Sequence, residues 1–199
     1  MTDPKIRDGP GGADSLAVRD LWRIEPLPEG VIESPLDLIF AQHLRHREAA
    51  QIMAFVAEGD ERNRSDKSEI YAILTAFLVS DLVQHTLEEE QAFFPLLREN
   101  CDPQDGMERL LDRLSAEHAT DKKFLDEITP ALSRAAEGGD LDPSVRGKLR
   151  VFSEHLRQHI ALENAVVLPI ARARLTGATL DRLGDLLKAL TLQPGQSSG

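Results

Sequence analysis

Apolar residues recur every three or four positions along five stretches of this chain, which is the spacing that places them on one face of an α-helix. Residues that end helices, chiefly glycine and proline, separate these stretches. The pattern predicts four long helices and a short fifth helix, over about 34–58, 65–99, 106–136, 142–174 and 179–190. It therefore favours an all-α fold, an up-down-up-down four-helix bundle with an N-terminal arm and a short C-terminal fifth helix.

The first and fourth helices have recognisable starts. Ser34 and Asp142 are typical N-cap residues, and each is followed by a proline, which suits the first position of a helix. On the second helix, Tyr71 is expected to lie in the core. The inward face of the first helix is expected to comprise Leu36, Ile39, Phe40, His43, Ala50 and Ala54.

Composition divides the chain into a folded domain and two polar ends. Residues 1–17 are polar and rich in glycine and proline, which predicts a disordered leader. Residues 18–192 form the predicted helical domain, and its first part, 18–33, is expected to be an ordered arm whose Trp22 and Leu27 pack on the helices. Residues 193–199 are expected to be a flexible tail.

The charge balance excludes some partners. With 34 Asp and Glu against 23 Lys and Arg, the formal net charge is −11, so the surface repels nucleic acid and anionic lipid. The single cysteine, Cys101, is expected to be an ordinary loop thiol, and it allows no disulfide within the chain. No apolar run approaches the roughly 18 residues of a membrane helix, and no signal-peptide core is seen. We therefore expect a cytoplasmic protein without a nucleic-acid or membrane partner.

A repeated motif carries the candidate chemistry. The segments HTLEEEQAFFP and HIALENAVVLP each place a glutamate four residues after a histidine and a proline six residues after that glutamate. A further inward histidine lies on the helix before each segment. The chain therefore contains one three-residue unit twice, once in each helical hairpin: His43, His85 and Glu89, then His118, His159 and Glu163. This repeat predicts a pseudo-twofold axis through the bundle.

The spacing of this unit favours a metal centre. Residues four positions apart lie on the same helix face, so each His–Glu pair can reach the same point inside the bundle. Six protein ligands are too many for one tetrahedral zinc and suit two octahedral ions bridged by the glutamates. In the alternative interpretation all six are ordinary core residues. Two carboxylates would then be buried without a cation, which costs free energy of folding.

These motifs resemble the hemerythrin-like, or HHE cation-binding, family over about residues 34–174. The family pattern is a His on the first helix, HxxxE on the second, a His on the third and HxxxE on the fourth. The resemblance implies a non-haem site with two oxo- or hydroxo-bridged Fe ions, Glu89 and Glu163 bridging them, and Zn or Mn as substitutes. It also implies a small diatomic molecule or peroxide as the ligand.

The chain departs from the oxygen-carrying members of this family. They have a second histidine on the third helix where this chain has Lys122, and an Asp where it has Glu163. One imidazole fewer weakens a role in reversible oxygen carriage. We expect a protein that binds or senses oxygen, peroxide or nitric oxide, or handles iron, with a protein partner if it is a sensor. A di-iron peroxidase or catalase-like enzyme and a metal-free structural bundle are the alternatives.

Four further residues lie near the motif. His155 is either a fifth imidazole or a partner of a ligand, since it lies four residues before His159 on the same face. His46 is expected at the edge of the helix seam. Glu88 and Glu90 flank Glu89 in sequence and are expected to be solvated surface charges.

Overall fold

The computed structural model describes residues 24–27, 34–62 and 65–192, and within these ranges every regular element is a helix. Two π-helical segments, Glu89–Phe93 and Glu163–Val167, follow α3 and α6, and a 3₁₀ turn spans Pro103–Asp105. The predicted all-α class is confirmed. The α-helices are α1 (Pro35–Glu58), α2 (Lys67–Val79), α3 (Asp81–Glu88), α4 (Phe94–Asn100), α5 (Met107–Ala136), α6 (Pro143–Leu162), α7 (Leu168–Arg174) and α8 (Ala178–Thr191).

Four long helical units result from these elements. The stretch from α2 to α4, Lys67–Asn100, is nearly continuous, and α6, the second π-segment and α7 run together over 143–174. We call these the second and fourth long helices, and α1 and α5 are the first and third. The predicted helix bounds lie within two residues of the observed ones.

The helix ends follow local chemistry. The Asp142 side chain accepts a hydrogen bond from the Ser144 N–H at 2.7 Å and so caps α6 as predicted. Ser34 is the N-cap residue of α1 as predicted, but its hydroxyl donates to Asp37 at 2.8 Å and accepts no hydrogen bond from a backbone N–H. α1 ends at Gly59, whose φ of 81° lies in the left-handed region that glycine adopts without strain.

The core consists of two apolar clusters. Cluster 1 surrounds Tyr71 and Phe152, and cluster 2 surrounds Phe93 and Phe94. The first and third long helices begin in cluster 2 and end in cluster 1, whereas the second and fourth run from cluster 1 to cluster 2. On each helix the candidate ligands fall where the chain passes from one cluster to the other. The two clusters therefore enclose the layer that holds the repeated motif.

A buried polar network lies at the cluster 1 end of the bundle. Tyr71, fully buried as predicted, donates its hydroxyl hydrogen to Glu61 at 2.7 Å. Arg146 pairs with the same carboxylate at 2.6 Å and donates to the Val56 carbonyl. Burial raises the pKa of Glu61, but the bonds from Arg146 and Tyr71 lower it below its usual value. Glu61 is therefore a paired buried carboxylate.

The inward face of α1 is rotated from the predicted one. Phe40 is 41 % exposed, so its predicted burial is wrong, and Ala54 is only partly buried. Leu38 and Gln42 are buried in their place. The cause is α8, whose Leu187 lies beside these two residues and covers that side of α1. Helical periodicity alone does not show which side a later helix covers.

Part of the predicted arm is described. Leu27 packs against cluster 2 as expected. The Glu25 N–H donates to Glu48 at 3.0 Å, and the Glu25 carbonyl accepts from Arg45 at 2.8 Å, so the arm is bound to α1. Trp22, the predicted leader and the predicted tail lie outside the described residues.

One helical stretch, Lys67–Asn100, is long and apolar enough to cross a membrane by length and composition alone. A core helix of a helical bundle meets the same criterion. This stretch contains the buried polar residues His85, Glu88 and Glu89, and it packs along α5. The expectation of no membrane partner stays a prediction.

Candidate metal centre

The structure brings the six predicted residues together in one buried layer between clusters 1 and 2. Their exposed fractions range from 0 to 8 %. They form two groups of four whose ligand atoms all lie within 4.8 Å of one another. Both groups share the two glutamates, and each adds a pair of histidines: His43 and His85 at what we call the first position, His118 and His159 at the second position.

Glu89 faces both pairs of histidines. Its Oε1 lies 3.3 Å from His85 Nε2 and 3.8 Å from His43 Nε2. Its Oε2 lies 3.3 Å from His118 Nε2. One carboxylate thus turns one oxygen to each position.

Glu163 has the matching arrangement from the opposite hairpin. Its Oε2 lies 3.3 Å from His43 Nε2, and its Oε1 lies 3.3 Å from His159 Nε2. The pseudo-twofold relation expected from the sequence repeat is therefore present in the contacts. Two shared carboxylates with two imidazoles on each side are a set of donors that could hold two metal ions.

Each of the four imidazoles is oriented by a second hydrogen bond. The acceptors are side-chain oxygens, which leave the hydrogen on Nδ1 and the Nε2 lone pair turned to the centre. This is the tautomer that a metal ligand requires. The Nδ1–oxygen distances are 2.8 Å for His43 to Asn164, 3.1 Å for His85 to Gln42, 2.6 Å for His118 to Glu90 and 2.9 Å for His159 to Glu117.

These outer partners occupy regular places in the sequence. Each stands directly beside a candidate ligand: Gln42 before His43, Glu90 after Glu89, Glu117 before His118 and Asn164 after Glu163. Each serves a histidine on another helix, because neighbouring residues on a helix point about 100° apart. None of these four roles is among those predicted from the sequence. Their position beside the ligands in both copies of the repeat was the signal that could have found them.

The inward-facing atoms fit a pair of metal ions. All four carboxylate oxygens of Glu89 and Glu163, and His43 Nε2, are buried without a hydrogen-bond partner among the described residues. His118 Nε2 and His159 Nε2 lie 3.2 Å apart, so two lone pairs face each other unless a proton or cation lies between them. A cation would stabilise both the carboxylate oxygens without partners and the two facing imidazole nitrogens. This mixture of nitrogen and oxygen donors suits iron, manganese or zinc.

The same charges hold protons when no metal is bound. Burial lowers the pKa of His159, but the carboxylates of Glu163 and Glu117 raise it to about 10. Burial raises the pKa of Glu89, but the nearby His85 and His118 lower it well below its usual value. The centre therefore pairs anionic carboxylates with cationic imidazole, and metal binding replaces those protons.

Both shared glutamates begin a π-helical segment. The Phe94 N–H donates to the Glu89 carbonyl and the Leu168 N–H donates to the Glu163 carbonyl, each across five residues instead of four. A proline follows at the second position of α4 and of α7. Proline has no N–H and crowds the carbonyl four residues before it, and the wider turn relieves that conflict. The proline of each repeat thus produces a π-bulge at the candidate ligand.

The two remaining histidines lie outside both groups of four. His46 is 1 % exposed, so its predicted place at the seam edge is wrong, and its ring packs edge-on against His85 with centroids 4.4 Å apart. Burial and the nearby His85 lower the pKa of His46 well below its usual value. His155 pairs with Asp121 at 2.9 Å, and this carboxylate raises the pKa of His155. Of the two assignments left open for His155, the geometry favours an outer position.

Glu88 and Glu90 are not solvated surface charges, so that prediction is wrong. Glu88 is 2 % exposed and accepts hydrogen bonds from Gln42 and Gln84, both at 2.7 Å. It is covered because α8 packs over the second long helix, and Thr191 of α8 lies 3.4 Å from its carboxylate. Because the Gln42 amide nitrogen donates to Glu88, the Gln42 oxygen faces His85. Glu90 is only partly exposed and accepts from His118.

A surface groove leads toward the second position. It has a volume of about 710 Å³, lies between the second long helix and α5, and reaches His118, Asp121 and Lys122. A separate cavity of about 10 Å³ touches His85, His118 and His159, and it shares His118 and Asp121 with the groove. The groove therefore brings solvent to the edge of the buried layer.

Comparisons with known proteins agree with this geometry. The sequence model of the hemerythrin HHE cation binding domain matches residues 34–171. The chain is similar to the iron-sulfur cluster repair protein YtfE of Musicola paradisiaca, with 29 % identity over 158 residues that cover 75 % of this chain and 68 % of the relative. The YtfE proteins of Escherichia coli O157:H7 and Salmonella paratyphi B are 28 % and 26 % identical, covering 76 % of this chain and 69 % of each relative. No solved structure gives a significant match.

Proposed function

Because this chain belongs to the hemerythrin HHE cation binding domain family, we propose that it is a non-haem di-iron protein. One observation carries the proposal: each buried carboxylate turns one oxygen to each pair of histidines, as a carboxylate that bridges two metal ions must. The proposed ligands are His43, His85, Glu89, His118, His159 and Glu163.

The proposed role of this iron is in the repair of iron-sulfur clusters. The curated relatives that align with three-quarters of this chain carry that name. Lys122 is exposed on α5 and lies outside both groups of four, so this chain lacks the extra imidazole of an oxygen carrier. Two imidazoles at each position leave room for a small molecule or an iron acceptor.

The residues of the chain have three tasks in this role. The imidazoles and carboxylates bind the ions, and the four outer oxygens keep each Nδ1–H in place. Clusters 1 and 2 exclude bulk water from the layer on both sides. Bound iron supplies Lewis-acid and redox chemistry. The groove at His118 gives a small oxidant access to the edge of the second position.

The proposal includes the up-down-up-down connection of the four long helices. Two observations support it. Successive long helices run in alternating order between the two clusters, and α1 packs along α6 while α2 packs along α5. In that arrangement each hairpin contributes one copy of the repeated unit.

The metal content of the purified protein tests the di-iron assignment. We expect two irons per chain and the near-ultraviolet charge-transfer bands of a bridged ferric pair. E89A and E163A should each lose these bands, because both positions lose a shared carboxylate. E154A is the matched control, since Glu154 is exposed on the same helix as His159. Retention of two irons in both glutamate variants would make the ligand assignment wrong.

Iron transfer tests the proposed role. Iron-loaded protein mixed with a damaged iron-sulfur enzyme and a sulfide source should restore that enzyme's cluster, and E163A treated in the same way should not. Free ferrous iron at the same concentration is the control. Continuous turnover of peroxide, without iron loss and without cluster repair, would instead favour the peroxidase alternative.

A further inference from the structure

We propose that the two metal positions are not equivalent: the second position, at His118 and His159, retains iron, and the first position, at His43 and His85, releases it. This inference rests on the proposed di-iron function and specifies which ion that function uses. It follows from the outer partners of the four imidazoles.

The inner ligands cannot cause such a difference. Each position has two imidazole Nε2 atoms and one oxygen from each shared glutamate. The distances are also alike, since each position has two Nε2–oxygen contacts of 3.3 Å. Any difference in affinity must therefore come from groups outside this set.

The outer partners of the two positions differ in charge. At the second position, His118 donates to the Glu90 carboxylate at 2.6 Å and His159 donates to the Glu117 carboxylate at 2.9 Å. A carboxylate acceptor makes the imidazole a stronger donor to metal and places negative charge close to the ion. The second position thus has two outer negative charges that the first position lacks.

At the first position both acceptors are neutral amides. His43 faces Asn164 at 2.8 Å and His85 faces Gln42 at 3.1 Å. The nearest extra carboxylate, Glu88, bonds to the far side of the Gln42 amide. The Gln42 amide therefore separates the Glu88 charge from the His85 imidazole.

Neighbouring cations do not remove this difference. Arg113 pairs with Glu117 at 2.8 Å, but its side chain is 66 % exposed, and ion pairs in solvent have weak effects. The other Glu117 oxygen still accepts from His159. Among the described residues, the one further hydrogen bond to Glu90 comes from the neutral Ser115 hydroxyl, at 3.0 Å.

The charge difference predicts an order of release. Changes at outer partners of metal-binding histidines typically alter metal affinity about 10- to 100-fold. More negative charge favours the ferric ion at the second position, whereas the first position favours the ferrous ion, which exchanges more readily. The first position is therefore the source of the iron that leaves, and the second keeps the site formed.

Chelation kinetics test this inference. Protein loaded with two ⁵⁷Fe per chain is exposed to a ferrous and a ferric chelator, and the iron left on the protein is followed by Mössbauer spectroscopy. We expect two phases of equal amplitude whose rates differ at least tenfold. The slow iron should be ferric and mononuclear once the fast iron has left.

Matched variants assign the phases to the positions. E90Q and E117Q should accelerate the slow phase about tenfold or more and leave the fast phase unchanged. N164D gives His43 a carboxylate partner and should slow the fast phase, which a merely structural role of the outer residues would not produce. E108Q is the control. Glu108 is exposed on the same helix as Glu117, and its substitution removes the same charge.

The outcomes separate this inference from the proposed function. Two irons that leave at one rate, or release rates unchanged in E90Q, E117Q and N164D, overturn the inequality of the positions and leave the di-iron assignment standing. A chain that never binds two irons overturns the proposed function itself.

Discussion

Metal binding should release protons from the protein, and the structure gives the minimum number of protons released. A histidine binds metal only through an unprotonated nitrogen. The pKa of His159 is about 10 in the metal-free protein, because Glu163 and Glu117 outweigh the effect of burial. At pH 7 this imidazole is therefore almost fully protonated, and occupation of the second position must release one proton from it.

The energetic consequence follows from the same value. Three pH units between pH 7 and the pKa of His159 correspond to about 4 kcal/mol, at roughly 1.4 kcal/mol per unit. This energy opposes metal binding at pH 7 and decreases as the pH rises. The apparent affinity of the second position should thus increase at least about tenfold for each pH unit from 7 to 9. The pKa values of His118 and His43 are raised as well, so the total release lies between one and three protons.

Calorimetric titration with Zn²⁺ measures this release directly. Zinc accepts the same donors without redox chemistry, and titration in two buffers of different ionisation enthalpy gives the number of protons. E117Q should release fewer protons, because His159 loses one of the carboxylates that raise its pKa, whereas E108Q should match the unmodified protein. Release well below one proton at pH 7, or an affinity independent of pH between 7 and 9, would refute this reasoning.

Three further predictions concern other parts of the molecule. H155A and H46L should each retain two metals per chain by elemental analysis; loss of one metal in either would place that histidine among the ligands. The metal-free protein should lose thermal stability as the pH rises from 6.5 to 10. The raised pKa of His159 stabilises the fold fully below pH 6.5, and this stabilisation is lost as the pH rises through about 10. A melting temperature that increases over this range would contradict this reasoning. E61A should lower the free energy of unfolding by about 3–5 kcal/mol in urea, because it leaves the buried Arg146 unpaired, and E61Q should lose less; equal, small losses would show that the pair does not stabilise the fold.

The all-α fold and the grouping of the six candidate ligands were predictable because both depend on short-range spacing. Helical periodicity located the helices, and the His–Glu spacing of four residues put His85 with Glu89 and His159 with Glu163 on common faces. The repeat in the two hairpins then indicated that all of these side chains meet. None of these inferences requires information on which helices are neighbours in the fold.

The outer contacts were not predictable from one helix at a time. The sequence predicts Glu88 at the surface and His46 at the seam edge, yet neighbouring helices bury both. Gln42 orients a histidine on another helix, so the periodicity of α1 alone does not show its role; the available signal is its place beside a candidate ligand, which the second copy of the repeat shares. The π-bulges have a local cause, the proline six residues after each shared glutamate.

Selective removal of one histidine pair tests the central claim most directly. In H43A/H85A the first position loses both imidazoles while the second keeps its complete set, and the reverse holds in H118A/H159A. We predict two magnetically coupled irons in the unmodified protein by metal analysis and Mössbauer spectroscopy, and one uncoupled iron in each double variant. Two coupled irons in either variant, or two irons lost together with an intact fold from both, would contradict a centre with one ion at each pair.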